Sequence, residues 1–192
     1  MKNCFDKCSK RIYNEYNEIE WAENACPISN VMDILLKDGC VMYKIVRKKE
    51  LNDAVTMMDI EAPFIAKKAK AGQFIIFRVD ELSERVPLTI AGCDREKGTV
   101  SIIFQKVGFS TKALGALNEG DYIQDFVGPL GRPTDVEGKK RVCVVGGGVG
   151  CAIALPAARG FKEAGAIVDV IIGFRTKDIV ILEEEFRACA DN

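Results

Sequence analysis

Arg141-Val-Cys-Val-Val-Gly-Gly-Gly-Val-Gly-Cys-Ala-Ile-Ala-Leu-Pro-Ala-Ala-Arg159 is the stretch that decides the fold of this chain. Its apolar run from Val142 to Val145 has the length of one buried parallel strand, and glycines follow at once. Glycine lets the backbone turn sharply and approach a large anion; the glycines here are Gly146, Gly147, Gly148 and Gly150. A helix is predicted next, over Ala152 to Ala164. Because a helix start favours negative charge, the stretch predicts a nucleotide pyrophosphate site.

The spacing of these glycines departs from the G-x-G-x-x-G pattern of dinucleotide sites, since Cys151 stands where the third glycine would be. A second interpretation therefore stays open at this point. In it, the glycines only let a strand and a helix pack closely, and no nucleotide is bound.

Composition excludes several classes of function. The 192 residues are 48% hydrophobic and carry a net charge of -1, so they can build a core but do not attract nucleic acid or an anionic membrane. No apolar stretch has the length of a membrane span and the N-terminus does not resemble a signal peptide, so a cytoplasmic protein with reduced cysteines is expected. The chain has no histidine, which excludes His-based catalysis and His-ligated metals. Its chemistry is expected to come from a cofactor.

The first 41 residues differ from the rest and are predicted to form an extension that is helical or disordered. Lys10 to Glu23 has the pattern of a short amphipathic helix. Four cysteines occur nearby but their spacing is uneven and lacks a Cys-x-x-Cys pair, so no metal ligands are assigned; they are Cys4, Cys8, Cys26 and Cys40.

From Val41 onward the sequence predicts a small barrel of short strands. Six segments rich in β-branched and aromatic residues are separated by turn residues; they are Val41 to Arg47, Ala54 to Ile60, Gln73 to Val79, Pro87 to Ala91, Thr99 to Gln105 and Asp121 to Phe126. One helix is predicted within the series, from Ser110 or Thr111 to Leu117, with Ser110 as its N-cap after Gly108. The fold class predicted is a six-stranded antiparallel Greek-key β-barrel followed by the start of an α/β Rossmann-like domain.

The predicted domains are an extension (1–41), the barrel (42–138) and a partial α/β domain (139–192). After the glycine turn, Ile167 to Phe174 predicts a second parallel strand, and another helix is expected near Ile181. A doubly wound sheet has about five or six strands, whereas two are predicted here, so the sequence is expected to be a C-terminally truncated form of such a domain.

Several motifs resemble the ferredoxin reductase superfamily, in the form used by electron transfer subunits of dihydroorotate dehydrogenase B and of NADH-dependent ferredoxin:NADP reductase. The resemblance covers about residues 42–192. The motifs are Met42-Tyr-Lys-Ile-Val, Ala71-Gly-Gln-Phe, Arg85-Val-Pro-Leu-Thr-Ile, Gly128-Pro-Leu-Gly and Gly146-Gly-Gly-Val-Gly.

The resemblance implies that the barrel binds FAD. Arg85 is a cation suited to the diphosphate, Pro87 stiffens the strand, and Leu88 to Ile90 would lie along the isoalloxazine. It also implies that the Thr89 hydroxyl lies near flavin N5. The diphosphate would rest on the start of the short helix, where the donors are Gly108, Ser110 and Thr111. The later glycines, Gly146 to Gly150, would bind the pyrophosphate of NAD(P)H.

The function implied is hydride transfer from NAD(P)H to FAD, with electrons leaving through iron–sulfur centres on a larger flavin and iron–sulfur partner subunit or to ferredoxin. Relatives of this type carry a [2Fe-2S] cluster, but its cysteine ligands are missing here and Cys189 alone cannot hold one. Ile153 replaces a proline common in the family, and Asp169 lies too early in its strand to be a clear ribose ligand. A dihydroorotate dehydrogenase electron transfer subunit and a non-catalytic docking or nucleotide-binding fragment remain alternatives.

Overall fold

The computed structural model describes residues 36–37 and 40–192, with side chains from Met42 onward. The chain divides into two compact units, Met1–Met42 and Tyr43–Asn192. In the first, β1 (Leu36–Lys37) pairs antiparallel with β2 (Cys40–Val41). The helix predicted over Lys10 to Glu23 and three of the four N-terminal cysteines lie outside the described residues.

A sheet of seven antiparallel strands forms most of the second unit. The strands are β3 (Tyr43–Glu50), β4 (Val55–Glu61), β5 (Phe74–Arg78), β6 (Val86–Asp94), β7 (Thr99–Gln105), β8 (Tyr122–Ile123) and β9 (Asp125–Leu130). They are hydrogen-bonded in the order β8-β3-β4-β7-β6-β5-β9. The predicted barrel is therefore present in outline, with one strand more than the sequence indicated.

The extra strand arises where the sheet closes. The last predicted strand, Asp121 to Phe126, is in fact two strands that meet at Gln124: β8 pairs with β3 at one edge, and β9 pairs with β5 at the other. The backbone N–H of Gln124 donates to the carbonyl of Val79 at 3.2 Å. One continuous segment thus joins both edges of the sheet, which makes the barrel nearly closed and leaves few unpaired edge groups.

Alternating apolar side chains fill the inside of the barrel. Along β5 and β4 every second residue is buried, as expected for strands with one face towards a core. The largest of these side chains are at most 2% exposed; they are Phe77, Phe104, Phe126, Ile45 and Met58. Tyr43 packs its ring against Phe126, with 5.6 Å between the ring centroids. This core holds the strands that carry the predicted site.

Two short helices cover the barrel. The first, α1 (Pro63–Lys68), was not predicted, because it lies in a segment where the sequence analysis placed turn residues; proline at the first helical position favours a helix start. The second, α2 (Phe109–Ala116), is the predicted one. Lys48 Nζ donates to the carbonyls of Gly115 at 2.7 Å and Leu117 at 2.9 Å, which fixes the C-terminal end of α2 to the barrel.

The glycine-rich stretch forms a parallel β-α-β unit, as predicted. It consists of β10 (Arg141–Gly147), a 3₁₀ turn (Gly148–Gly150), α3 (Cys151–Glu163) and β11 (Ile167–Gly173). A second 3₁₀ turn (Lys177–Ile179) and α4 (Glu183–Arg187) follow. The helix expected near Ile181 therefore begins two residues later.

A second apolar cluster attaches the β-α-β unit to the barrel. Helix α3 contributes Cys151, Leu155 and Ala158, and they pack together with Ala91 and Ile103 on the outside of the barrel. The opposite face of the two parallel strands is open: Val145 is 69% and Ile171 is 58% exposed. Among the described residues, no helix is long and apolar enough to cross a membrane.

Replacing Phe126 with alanine should lower the free energy of unfolding by about 3–5 kcal/mol, because it leaves a cavity in the barrel core beside Tyr43. Leu82→Ala is the matched control: Leu82 is 96% exposed, so this change should alter stability by less than about 0.5 kcal/mol. Urea denaturation followed by circular dichroism measures both values. Equal effects would contradict the assignment of Phe126 to the core.

Candidate functional site

The barrel opens between two neighbouring strands. The β6–β7 ladder pairs Asp94 with Thr99 at one end and stops at Ile90 opposite Ile102. Both strands continue beyond that point, but there β6 pairs with β5 and β7 pairs with β4. The facing edges of β6 and β7 are therefore not hydrogen-bonded to each other beyond Ile90 and Ile102, and we call this unpaired stretch the gap. Backbone groups that leave a ladder need another hydrogen-bond partner, which a ligand can supply.

The Arg85 to Thr89 segment runs along one side of this gap. The Arg85 side chain is 63% exposed, and its Nη2 donates to Asp125 Oδ2 at 3.0 Å. Pro87 is exposed, and Leu88 packs against the barrel core. Thr89 lies opposite Phe74 in the β5–β6 ladder; its hydroxyl has no hydrogen-bond partner within the described part of the chain. The segment thus offers a cation and a free hydroxyl.

The N-terminus of α2 lies at the same end of the gap, because α2 follows β7 and β7 runs antiparallel to β6. The helix begins at Phe109 with Gly108 as its N-cap, so the prediction of Ser110 as the N-cap was wrong. The reason is Thr111, whose hydroxyl accepts the Gly108 N–H at 3.1 Å and the Val107 N–H at 3.2 Å. That hydroxyl closes the turn without a side chain at the N-cap.

Ser110 is then left in the first turn of α2. The residue as a whole is 5% exposed, and we find no hydrogen-bond partner for its hydroxyl among the residues that the structure describes. The hydroxyl oxygen reaches the surface, since Arg78 Nε is the one side-chain N or O atom of the described residues that is both buried and without a partner. The first N–H groups of a helix also lack a partner within the helix. The turn therefore supplies several donors that suit an anion.

The glycines of the second motif have different roles. A Cβ at Gly146 would lie 3.1 Å from Cys151 Sγ and 3.2 Å from the Ala154 Cβ, so Gly146 allows β10 and α3 to pack closely. Gly148 has a φ of +53°, which favours glycine. A Cβ at Gly150 would meet nothing within 4 Å. The space beside Gly150 is thus open at the start of α3.

The glycine turn and the gap belong to one continuous surface of the second unit. Val149, in the middle of the turn, packs against the apolar cluster that contains Ile103. Ile103 lies on β7 one residue beyond the last β6–β7 pair. The structure therefore brings the glycine turn close to the opening between β6 and β7, although the sequence separates them by about 60 positions.

The acidic residues near the second strand are engaged in ion pairs. Arg141 Nε lies 2.7 Å from Asp169 Oδ2, and Asn192 Nδ2 donates to Asp169 Oδ1 at 2.9 Å. The hydrogen bond from Arg141, and then that from Asn192, lower the pKa of Asp169. Glu183 pairs with Arg187 at 2.7 Å. Asp169 thus ties the start of β11 to β10 and is not a free ribose ligand.

The described cysteines do not suit an iron–sulfur cluster. Burial raises the pKa of the Cys151 and Cys189 thiols, which favours the neutral form over the thiolate that a metal needs. Cys93 on β6 and Cys143 on β10 are exposed. From residue 42 onward, no group of three potential metal ligands is found.

Sequence reasoning missed one residue of the site, Asp125. It fell inside a predicted strand and was treated as a strand residue. Its carboxylate contacts both Arg85 and Arg78, which lies directly opposite it in the β5–β9 ladder. No clear signal marked it, because the predicted strand from Asp121 to Phe126 contains a second acid and a glutamine, and the partners of Asp125 depend on strand pairing.

Comparison with known proteins finds relatives in sequence and in structure. No family model matches the chain. An uncharacterised protein from the adh 3′ region of Clostridium beijerinckii is 54% identical over 158 residues, which is 79% of this chain and 53% of that protein. A homologue of the dihydroorotate dehydrogenase B (NAD⁺) electron transfer subunit from Thermotoga maritima is 40% identical, over 80% of this chain and 54% of its own length.

A solved structure of an NADH-dependent reduced ferredoxin-NADP oxidoreductase matches with a TM-score of 0.76 and 37% identity, over 80% of this chain and 56% of that one. The chain is therefore similar to proteins of the ferredoxin reductase superfamily in sequence and in structure. Phthalate dioxygenase reductase, at 18% identity and a TM-score of 0.66, shares the superfamily fold. The chain spans about half the length of the curated relatives it matches.

Gly146→Ala should lower the free energy of unfolding by about 1–3 kcal/mol, because its Cβ crowds α3 against β10. Gly150→Ala is the matched control in the same turn. Gly150 has a φ of −60° and open space around it, so this change should leave stability unchanged or raise it by up to about 1 kcal/mol. Urea denaturation of both variants tests this, and equal destabilisation would contradict the two roles.

Asp169→Asn should destabilise the protein at neutral pH and lose its effect in acid. Since Arg141 lowers the pKa of Asp169 in the folded state, the carboxylate stabilises the fold above the pKa it has in the unfolded chain, about 4. That contribution is lost as the pH falls through the lower folded pKa. Thermal unfolding midpoints of both proteins from pH 7 to pH 3 should converge; a constant difference would show that the charge is not responsible.

Proposed function

We propose that this chain is the flavin-binding part of an oxidoreductase subunit that passes electrons from NAD(P)H to FAD. The observation that carries the proposal is the gap where β6 and β7 separate, with Arg85 on one side and the start of α2 at the same end. A mostly exposed guanidinium and a helix N-terminus together suit a diphosphate. The match to a solved ferredoxin-NADP oxidoreductase supports the same proposal.

The diphosphate of FAD is proposed to bind between Arg85 and α2. One N–H of the guanidinium is used by Asp125, which leaves four of its five donors for phosphate oxygens. On the other side, the Ser110 hydroxyl and the first N–H groups of α2 supply neutral donors. Gly108 has no side chain, so the backbone there can come close to the anion.

The isoalloxazine is proposed to lie against Pro87, Leu88 and Thr89. Pro87 has no N–H and stiffens β6 where that strand pairs with β5 alone, so this side of the gap is defined before a ligand arrives. Bound FAD would supply the redox chemistry, by accepting a hydride and releasing electrons one at a time. Thr89 is the proposed catalytic residue, because its hydroxyl is without a partner in the described chain and is free to contact the reacting part of the flavin.

The pyrophosphate of NAD(P)H is proposed to bind at Gly146 to Gly150. The open space beside Gly148 and Gly150, next to the start of α3, supports this assignment. We propose further that the β-α-β unit is the start of a Rossmann-like domain beginning near residue 139, after a barrel domain of residues 42–138. We propose that residues after β11 determine the selectivity between NADH and NADPH. Arg175 and Lys177 are exposed in this segment.

The whole protein is proposed to work with a larger flavin and iron–sulfur subunit. Relatives at 40% and 35% identity are named as electron transfer subunits or their homologues, which supports assembly with a partner. The same names favour a second candidate, the electron transfer subunit of a dihydroorotate dehydrogenase. In both cases the [2Fe-2S] relay would use residues other than the described cysteines, and ferredoxin is an alternative acceptor.

Arg85→Ala and Ser110→Ala should each weaken FAD binding, Arg85→Ala by about tenfold or more because a charge-assisted hydrogen bond is lost. Arg47→Ala is the matched control: Arg47 is 57% exposed and pairs with Asp59 in another part of the barrel, so FAD affinity should not change. Titration of the purified protein with FAD, followed by flavin fluorescence, gives the dissociation constants.

Anaerobic addition of NADH or NADPH to the FAD-loaded protein then tests the second cofactor. Bleaching of the flavin absorbance would support electron transfer and identify the nucleotide, and Gly150→Ala should slow it without loosening FAD. A protein that binds FAD but is not bleached would limit the function to flavin binding. Failure to bind FAD at all would contradict the flavoprotein proposal. It would favour the alternative that the chain is a non-catalytic docking or nucleotide-binding fragment.

A further inference from the structure

Three charged side chains meet at the edge of the proposed flavin site. Asp125 Oδ2 lies 2.7 Å from Arg78 Nε and 3.0 Å from Arg85 Nη2. The Arg78 and Asp125 side chains are 19% and 24% exposed, whereas that of Arg85 is 63% exposed. Two of the three charges are therefore held within the protein, and the third reaches towards solvent.

The two contacts of Asp125 differ in kind. Arg78 and Asp125 are direct partners in the β5–β9 ladder, so strand pairing sets their separation. The N–H at Arg78 Nε is buried but not aligned with an acceptor, and this contact is ionic rather than a hydrogen bond. Arg85 does donate a hydrogen bond to the same oxygen. Arg78 thus balances the charge of Asp125, while the directed hydrogen bond goes to Arg85.

We propose that Asp125 is a positioning residue that holds Arg85 beside the gap between β6 and β7, ready to bind the diphosphate of FAD. The inference rests on the proposed function and adds a residue to it. Asp125 does not touch the ligand; it acts through Arg85. Arg78 completes the arrangement, because its positive charge offsets the repulsion that an unpaired carboxylate would exert on a diphosphate.

The energetic reason is the mobility of an exposed arginine. A free arginine side chain loses about 2 kcal/mol of rotamer entropy when it is fixed. An arginine that is already held by Asp125 has lost part of that freedom before FAD arrives, so binding costs less. The guanidinium keeps four further donors, and the diphosphate does not need to displace Asp125. With two arginines and one aspartate, the cluster keeps a net positive charge.

The test compares FAD with riboflavin, which has the same ring system but no diphosphate. Asp125→Asn should raise the dissociation constant for FAD by about three- to tenfold and leave that for riboflavin unchanged. In an Arg85→Gln background the same substitution should add nothing, because the residue through which Asp125 acts is gone. Asp59→Asn is the matched control, since Asp59 is a half-buried strand aspartate paired with Arg47; it should change neither constant.

Other outcomes would overturn the inference. An unchanged dissociation constant for FAD in Asp125→Asn would overturn it. So would an equal weakening of FAD and riboflavin binding, or the same loss of FAD affinity when Asp125→Asn is made in the Arg85→Gln background. These last two results would point to general damage to the barrel. Asp125→Glu keeps the charge and provides a second variant if Asp125→Asn does not fold. It should weaken FAD binding but not riboflavin binding, because the longer side chain misplaces Arg85. An unaltered ratio of the dissociation constants for FAD and riboflavin would contradict the proposal.

A ligand-free measurement separates this inference from the proposed function. Nitrogen relaxation at Arg85 Nε reports how rigid the side chain is without FAD, and the order parameter should fall in Asp125→Asn. If the wild type fails to bind FAD, both proposals are overturned. If FAD binds and Arg85→Gln weakens it while Asp125→Asn changes neither affinity nor rigidity, the inference alone is wrong.

Discussion

The structure depends on where the β6–β7 ladder ends. Up to Ile90 and Ile102 the two strands share hydrogen bonds; beyond that point each strand bonds to its other neighbour. A barrel that closed completely would satisfy every edge and leave no place for a ligand. The early end of this ladder opens the wall at one position while the joined β8 and β9 segments keep the rest nearly closed.

The charged and polar groups of the site are arranged around that opening. Arg85 lies just before β6 and is held by Asp125 from β9, and the start of α2 follows β7. Lys48 fixes the other end of α2 to the barrel. Each contact is supplied by a different strand, so the closed sheet is what makes the site rigid. Contacts that fix these groups within the protein would lower the entropic cost of the proposed FAD binding.

Much of the fold could be predicted, because the spacing of apolar residues and the positions of turn residues are local properties of the sequence. Alternating apolar residues indicated the strands, and the glycine run after Val142 to Val145 indicated the β-α-β unit. The errors came from interactions that local patterns do not contain. Helix α1 looked like a turn, the last strand was divided at Gln124, and Thr111 rather than Ser110 provides the hydroxyl that closes the turn before α2.

The sequence by itself determined the chemistry that this chain offers: a glycine run between a strand and a helix, Arg85 as a permanent cation, and no histidine. These are properties of residue types and short spacings. Only the tertiary structure decided which groups are free to act. Strand pairing brought Asp125 to Arg85 and Arg141 to Asp169, and it left Thr89 and Ser110 without partners in the described chain. The physical reason is that ion pairs and ladder ends depend on register between distant segments, which no local pattern records.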